Sequence, residues 1–315
     1  MKKKNQATDI KRREFLKTSA TIAAGSIFLT SGGLSLFGAN GSYTVQNSIP
    51  DVVLNNGVKM PILGFGTNRL NGDTGIQSIS EAISVGYRLI DTAHIYGNEE
   101  AVGAAIKKSG IQREKLFVTS KLWVTDFGYE SAKKAFETSM GKLDLDYLDL
   151  YLLHRPRGDV KGSWKALEEL YEQGKIKTIG VSNFDPDQLD DLMTSAKITP
   201  AVNQIESHVF FHQKEMYKDL KNRGIQMEAW SPFAAGRNNV FTNQTLADIG
   251  KKYGKTNAQV SLRWHYQREV VAIPRSSQKA HMIENLDIFD FELTGSDMRS
   301  IDALDQNTTQ FPEWG

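Results

Sequence analysis

The body of this chain alternates short apolar runs with longer amphipathic stretches, and this alternation restricts the folds open to it. Beyond about residue 49, no linker, low-complexity tract or block of like charge divides the chain. Strands joined by helical crossovers run parallel, with right-handed connections. Eight barrel or sheet strands are predicted, at residues 62–66, 88–91, 116–120, 147–153, 178–181, 202–205, 226–230 and 270–273.

Eight such units in one undivided chain favour a closed barrel. The competing fold is an open doubly wound sheet, which would carry GxGxxG after its first strand; Gly64-Phe65-Gly66-Thr67 is only a fragment of that loop. Ahead of the first barrel strand, Asn55-Asn56-Gly57 predicts the turn of a hairpin. We therefore expect an α/β protein, a (β/α)8 TIM barrel over residues 48–315 with an N-terminal β-hairpin cap.

The first forty residues have a different character. A basic run at 11–17 precedes a weakly apolar stretch at 18–29 and small residues near Ala39. This order is typical of a signal peptide, and Arg12-Arg13 before Phe-Leu-Lys resembles a twin-arginine export signal. We expect residues 1–40 to engage the twin-arginine export machinery and direct the protein to the periplasm. A basic tail without export function and an uncleaved anchor are the alternatives, and the protein is cytoplasmic if the signal is unused.

Composition excludes several classes of function. The formal net charge of +1 gives no basic surface for nucleic acid, so no nucleic-acid partner is expected. The absence of cysteine excludes disulfides, thiolate catalysis and cysteine-ligated zinc. His208 and His212 have helical spacing but lack the HExxH pattern, and no metal site is predicted.

Polar side chains at the ends of three predicted strands suggest carbonyl chemistry. Asp91, Lys121 and His154 follow different strands, with Tyr96 just beyond the first, and strand ends meet at the mouth of a barrel. Reduction of a carbonyl requires a proton for the developing alkoxide. An ammonium lowers the pKa of a nearby phenol, and a carboxylate holds the ammonium in place. The four residues therefore predict a proton-donor unit, in which neutral His154 orients the substrate oxygen.

Residues 86–99, Gly-Tyr-Arg-Leu-Ile-Asp-Thr-Ala-His-Ile-Tyr-Gly-Asn-Glu, resemble the signature of the aldo-keto reductase family. The resemblance continues through Thr119-Ser120-Lys121, Leu153-His154, Val181-Ser182-Asn183-Phe184, Asn203-Gln204-Ile205-Glu206, Trp230-Ser231-Pro232 and Ile273-Pro274-Arg275-Ser276. It is strongest toward bacterial members of the diketogluconate and methylglyoxal reductase kind. It implies a monomeric enzyme that reduces small aldehydes, ketones or keto-sugars with NADPH. The implied catalytic tetrad is Asp91, Tyr96, Lys121 and His154, with Tyr96 as general acid; a non-catalytic, cofactor-binding regulatory subunit is the alternative.

The resemblance also implies a cofactor site, whose residues surround the nicotinamide, the pyrophosphate and the adenosine 2′-phosphate. They are Gly66, Thr67, Ser182, Asn183, Gln204, Trp230, Ser231, Pro232, Phe233, Arg275, Ser276, His281, Glu284 and Asn285. Arg275 suits a phosphate because a guanidinium binds it in a forked geometry. His281 stands where the family often has arginine, so NADH is an alternative donor. Ser182-Asn183 has a second interpretation, as the cap of the helix near Pro186.

The implied substrate residues are His154, Trp123, Asn68 and Arg155. The family often has tryptophan at the last two positions, so two apolar walls are replaced by polar ones. This favours a polar or anionic carbonyl substrate, unless Arg155 points to solvent or to a neighbouring carboxylate. The tail after Leu304 is also shorter than the family's usual closing segment, which favours an open site.

Overall fold

The computed structural model describes residues 49–314, and all of them belong to one compact unit. The predicted export signal, residues 1–40, lies outside the described residues. A two-stranded antiparallel hairpin comes first, formed by β1 (Asp51–Val53) and β2 (Lys59–Pro61). Asn55 and Asn56 in its turn donate to the carbonyl oxygens of Pro200 and Lys177, each at 3.1 Å. Because both acceptors precede barrel strands, the hairpin caps the amino end of the barrel, as predicted.

Eight parallel strands follow in sequential order around the sheet. They are β3 (Phe65–Gly66), β4 (Leu89–Asp91), β5 (Phe117–Leu122), β6 (Leu150–Leu153), β7 (Ile179–Ser182), β8 (Val202–Glu206), β9 (Gln226–Trp230) and β10 (Val271–Ala272).

The first and last barrel strands meet. A parallel bridge joins Leu63 to Ala272, and the Gly64 amide donates to the Ala272 carbonyl at 2.8 Å. A Cβ on Gly66 would lie 2.9 Å from the Ile273 carbonyl oxygen, so this close approach requires glycine. The predicted (β/α)8 barrel is confirmed.

Ten α-helices surround the strands in the described part of the chain. They are α1 (Gly72–Val85), α2 (Glu99–Ser109), α3 (Tyr129–Leu143), α4 (Val160–Glu172), α5 (Pro186–Met193), α6 (Lys214–Arg223), α7 (Gln244–Tyr253), α8 (Asn257–Gln267), α9 (Lys279–Leu286) and α10 (Gly295–Asp302). None of the helices described is long and apolar enough to cross a membrane.

The N-terminal cap of α5 tests the interpretation of Ser182-Asn183 as a helix cap. Asp185 caps this helix: its carboxylate accepts from the Gln188 amide at 2.8 Å, and the Gln188 side chain accepts from the Asp185 amide at 2.9 Å. Pro186 occupies the first turn, where its missing N–H costs nothing. The interpretation of Ser182-Asn183 as the cap is therefore wrong, and both side chains instead form hydrogen bonds at the end of β7.

Candidate active site

The structure brings the four predicted tetrad residues together at the carboxyl end of the barrel. Asp91 ends β4, Lys121 lies within β5 and His154 directly follows β6. Tyr96 closes a 3-10 turn, His94–Tyr96, just beyond β4. The Lys121 ammonium lies 5.1 Å from the centre of the Tyr96 ring, and the His154 ring meets that ring edge-on at 5.9 Å.

Lys121 is fixed from below by a buried ion pair. Its ammonium donates to Asp91 Oδ1 at 2.6 Å and to the Thr92 carbonyl oxygen at 2.8 Å. Lys121 is 0% exposed and Asp91 is 1% exposed. Burial favours the neutral amine, but Asp91 and Tyr96 outweigh it and raise the pKa of Lys121. The ammonium therefore stays charged beneath Tyr96.

Two opposing effects act on the pKa of Tyr96. Burial raises it, and the Lys121 ammonium lowers it, as the sequence suggested. Burial is the larger effect, so the pKa of Tyr96 lies above its ordinary value and the expectation of a net lowering is corrected. The phenol is thus protonated at neutral pH. A protonated phenol can still donate to a developing alkoxide, since an alkoxide is far more basic.

His154 is neutral at ordinary pH. Burial, followed by the positive charges of Lys121 and Arg155, holds the pKa of His154 well below its usual range. The ring also packs edge-on against Trp123 at 5.0 Å. Its Nδ1 atom is buried and has no hydrogen-bond partner among the described residues. A neutral imidazole in this position offers one N–H donor at the mouth of the barrel.

A continuous polar network runs from Asp91 to the ends of β7, β8 and β9. Gln204 Nε2 donates to Asp91 Oδ2 at 2.9 Å, and Ser182 Oγ donates to the Gln204 carbonyl at 2.8 Å. Asn183 Nδ2 donates to Ser182 Oγ at 2.9 Å, and Trp230 Nε1 donates to Asn183 Oδ1 at 2.9 Å. Asn183 adopts a φ of 62°, which asparagine tolerates better than most residues. These predicted cofactor residues therefore share one edge of the tetrad.

The loop after β9 begins at a residue with positive φ. Ser231 has a φ of 50° and is half-buried, while Pro232 and Phe233 are buried. The 3-10 segment that follows, Ala234–Thr242, is tied to the C-terminal tail, where the Arg237 guanidinium pairs with Glu313 Oε1 at 2.5 Å.

The predicted substrate residues lie around the same mouth. The Arg155 guanidinium sits 5.9 Å from the centre of the Trp123 ring, which itself packs on His154. Asn68, directly beyond the β3 end, is half-buried. A cleft of about 780 Å³ lies to one side of this mouth; Arg155, Asn183 and Trp230 line it, and none of the tetrad residues does. No group of three or more His, Asp or Glu side chains in residues 49–314 is arranged to hold a metal ion.

A model of the Aldo/keto reductase family matches residues 62–306. The chain belongs to this family. A glyoxal reductase of Bacillus subtilis is 51% identical over 266 residues, covering 84% of this chain and 96% of that protein. A morphine 6-dehydrogenase of Pseudomonas putida is 44% identical over 278 residues, covering 84% and 94%. The crystal structure of a Bombyx mori aldo-keto reductase in complex with NADP has a TM-score of 0.79 and 33% identity, covering 84% of this chain and 95% of that chain.

Aldo-keto reductases are NADP-dependent oxidoreductases that act on carbonyl compounds, and this chain is an enzyme of that kind. Its residues fit the cofactor at the nicotinamide end: the buried His154 Nδ1 has no hydrogen-bond partner among the described residues, and Asn183 links the His154 carbonyl oxygen to the Trp230 indole. At the other end, Arg275 and His281 are exposed near the start of α9. An exposed guanidinium at a helix N-terminus suits a phosphate.

Several predicted cofactor residues also have tasks within the fold. Thr67 Oγ1 donates to the Asp91 carbonyl at 2.9 Å, and Ser276 Oγ accepts from the Gln278 amide at 3.0 Å. The Glu284 carboxylate accepts from Thr256 Oγ1 at 2.5 Å, at the cap of α8. Asn285 is buried. These predicted cofactor residues therefore also stabilise the barrel.

Sequence reasoning missed one ionisable residue near the tetrad. Glu228 in β9 is 0% exposed, and neither of its carboxyl oxygens has a hydrogen-bond partner among the described residues. The signal was present in the sequence, since Gln226–Trp230 was predicted as a buried strand and a carboxyl inside one is unusual.

Proposed function

We propose that this aldo-keto reductase passes a hydride from NADPH to the carbonyl carbon of small aldehydes, ketones or keto-sugars, with Tyr96 as general acid. The observation that carries the proposal is the placement of Tyr96 directly above the Lys121–Asp91 pair, with Lys121 Nζ 5.1 Å from its ring centre. A phenol next to a fixed ammonium is well placed to release its proton as negative charge develops on a substrate oxygen.

The residues of the tetrad have separate roles in the reaction. The bound cofactor supplies the hydride. Neutral His154 donates a hydrogen bond to the carbonyl oxygen and orients it toward Tyr96. Tyr96 then gives its hydroxyl proton to the developing alkoxide, and the Lys121 ammonium stabilises the phenolate that remains. Asp91 keeps that ammonium charged and in place through the 2.6 Å hydrogen bond.

The cofactor is held by polar side chains at the ends of β7 and β8, by the loop after β9 and by the segment between β10 and α9. Ser182, Asn183 and Gln204 would hold the carboxamide, and Trp230 would provide the aromatic surface for the nicotinamide ring. The loop that begins at Ser231-Pro232-Phe233 would hold the pyrophosphate. Arg275, Ser276, His281, Glu284 and Asn285 would hold the adenosine end, and Gly66 and Thr67 would contact the cofactor at the end of β3. Arg275 favours NADPH through the 2′-phosphate, and NADH is the weaker alternative.

The substrate is a small, polar or anionic carbonyl compound. Arg155 places a positive charge over Trp123, at the rim of the site that contains His154. Asn68 adds a second polar group at that rim. The 51% identical relative named glyoxal reductase supports a small, polar carbonyl.

Steady-state oxidation of NADPH with glyoxal and a panel of aldehydes tests the function. Tyr96→Phe is expected to lose about 10²- to 10⁴-fold in kcat, the usual contribution of a general acid, while the Kd for NADPH is unchanged. Tyr171→Phe, on the outer helix α4, is the matched control and keeps full turnover. Turnover that survives in Tyr96→Phe contradicts the assignment. A wild-type protein that binds NADPH without turning over any carbonyl supports the regulatory-subunit alternative.

We also propose that residues 1–40 are a twin-arginine signal peptide, that the export machinery is a transient partner and that the mature enzyme is a periplasmic monomer. The basic, weakly apolar and small-residue segments in that order support it. Replacing Arg12 and Arg13 by lysine is expected to retain the enzyme in the cytoplasm of a twin-arginine-competent bacterium, as measured by fractionation. Equal periplasmic amounts of the two forms contradict the proposal, and a sizing column tests the monomer.

A further inference from the structure

Glu228 lies directly beneath the mouth of the barrel. It occupies the middle of β9, two residues before Trp230, and residues spaced by two share one face of a strand. Its partner across the sheet is Gln204 in β8, whose amide donates to Asp91 Oδ2 at 2.9 Å. The Glu228 carboxyl is therefore adjacent to the group that anchors Lys121.

The ionisable groups facing Glu228 include a single cation. They are Asp91 at the end of β4, Tyr96 just beyond it and Lys121 in β5. On the other flank, its partner in β10 is the apolar Val271. One ammonium thus serves two buried carboxyls. Asp91 makes the 2.6 Å hydrogen bond to that ammonium, so Glu228 is the carboxyl left without a cation of its own.

An unpaired carboxylate with no hydrogen bond is costly to bury, and the group takes up a proton instead. Neither Glu228 oxygen meets hydrogen-bond geometry with a donor in residues 49–314, although the Gln204 side chain lies near enough to favour the ionised form. Burial, and next the negative charge of Asp91, raise the pKa of Glu228 to about 8, while Gln204 and Lys121 oppose that rise. At neutral pH the buried cluster therefore contains one ammonium, one carboxylate and one neutral carboxyl.

We propose that Glu228 is a positioning residue for carbonyl reduction, whose neutral carboxyl leaves Lys121 free to stabilise the Tyr96 phenolate and whose ionisation weakens that stabilisation. The proposal rests on the proposed role of Tyr96 as general acid. A negative charge on Glu228 raises the pKa of Tyr96 further and makes the phenol a poorer donor. Reduction is therefore expected to slow as the pH rises through the ionisation of Glu228.

The pH dependence of kcat, measured with saturating NADPH and glyoxal, tests the proposal. In the wild type, kcat is expected to fall about tenfold between pH 7 and pH 9.5, which corresponds to roughly one pKa unit of coupling. Glu228→Gln keeps the shape of the side chain but cannot ionise, so this fall is expected to disappear. Glu168→Gln removes another buried carboxyl, whose Oε1 accepts from the Lys197 and Ile198 amides at 2.6 and 2.9 Å, and it keeps the fall.

A spectroscopic titration provides a readout besides activity. The infrared absorption of a protonated carboxyl in the cofactor-free wild type is expected to persist at pH 7, to be about half lost at pH 8 and to vanish by about pH 10, and Glu228→Gln is expected to lack this band. If Glu228→Gln does not fold, the wild-type titration decides alone: a carboxyl band that is absent at pH 7 overturns the proposal. An unchanged pH profile in folded Glu228→Gln also overturns it.

The two proposals fail separately. If Tyr96→Phe keeps its turnover, the proposed general acid is wrong whatever Glu228 does. If Tyr96→Phe loses turnover while Glu228→Gln keeps the alkaline fall, only the role of Glu228 is wrong.

Discussion

The two ends of the proposed cofactor site are built differently. At the nicotinamide end, Lys121, Asp91 and Gln204 project from barrel strands, are buried and hold one another through hydrogen bonds of 2.6 and 2.9 Å. At the adenosine end, Arg275 and His281 lie on a loop and on a short helix, and both are exposed. The proposed catalytic groups are therefore fixed by the sheet, whereas the groups proposed to set cofactor preference can change at little cost to the barrel.

Removing the buried cation is expected to have the largest effect. Lys121→Met leaves Asp91 buried without its partner, and breaking a buried pair in this way costs about 3–5 kcal/mol of the free energy of unfolding. Turnover is lost together with stability, because the same ammonium supports Tyr96. Chemical denaturation and kcat measure the two effects. Lys107→Met breaks the exposed pair with Asp144 and should cost at most about 1 kcal/mol. Equal losses of the free energy of unfolding in the two variants would show that the buried ion pair stabilises the protein no more than the surface pair does.

At the adenosine end, Arg275→Met is expected to change preference and not stability. Loss of a charge-assisted contact of about 1.5–3 kcal/mol raises the KM for NADPH roughly 10- to 100-fold and leaves the KM for NADH almost unchanged. The melting temperature stays within the error of the wild type, because Arg275 is exposed. Arg299→Met, an exposed arginine on α10, controls for loss of charge. A parallel rise in both KM values would place Arg275 away from the 2′-phosphate.

The smallest effect is expected where the loop after β9 meets the C-terminal tail. Arg237 donates to the Gln310 carbonyl and pairs with Glu313, and its guanidinium lies 4.2 Å from the centre of the Phe311 ring. Exposed ion pairs are weak because water screens them, so Arg237→Gln should speed release of NADPH by about fivefold or less.

Stopped-flow dissociation measures the release rate. High salt should raise the NADPH release rate of the wild type nearly to that of Arg237→Gln, because screening weakens an exposed ion pair. Lys161→Gln, which breaks the exposed pair with Asp191, should leave release unchanged. An NADPH release rate that changes neither with salt nor in Arg237→Gln would show that the C-terminal tail does not hold this loop.

Much of the barrel was predictable, because periodicity and strand ends are local features of the sequence. The eight strands, the hairpin turn and the convergence of Asp91, Tyr96, Lys121 and His154 all follow from them. The motifs also located the polar edge at Ser182 and Gln204, but not which side chain caps α5.

What escaped the sequence depends on distances between side chains. The net pKa of Tyr96 is raised because burial outweighs the Lys121 charge, and motif spacing reveals the charge but not the burial. Glu228 is far from Asp91 along the chain and reaches it only through the closed barrel. The second tasks of Thr67 and Glu284 were hidden for the same reason, since their partners come from other elements.

Single-turnover hydride transfer tests the central claim most directly, because it isolates the chemical step from cofactor release. Wild-type enzyme, Tyr96→Phe and Tyr171→Phe, each loaded with NADPH, are mixed with glyoxal while the nicotinamide absorbance is followed. The phenol above the Lys121–Asp91 pair predicts a rate at least 100-fold lower in Tyr96→Phe alone. Equal rates in all three proteins would contradict it.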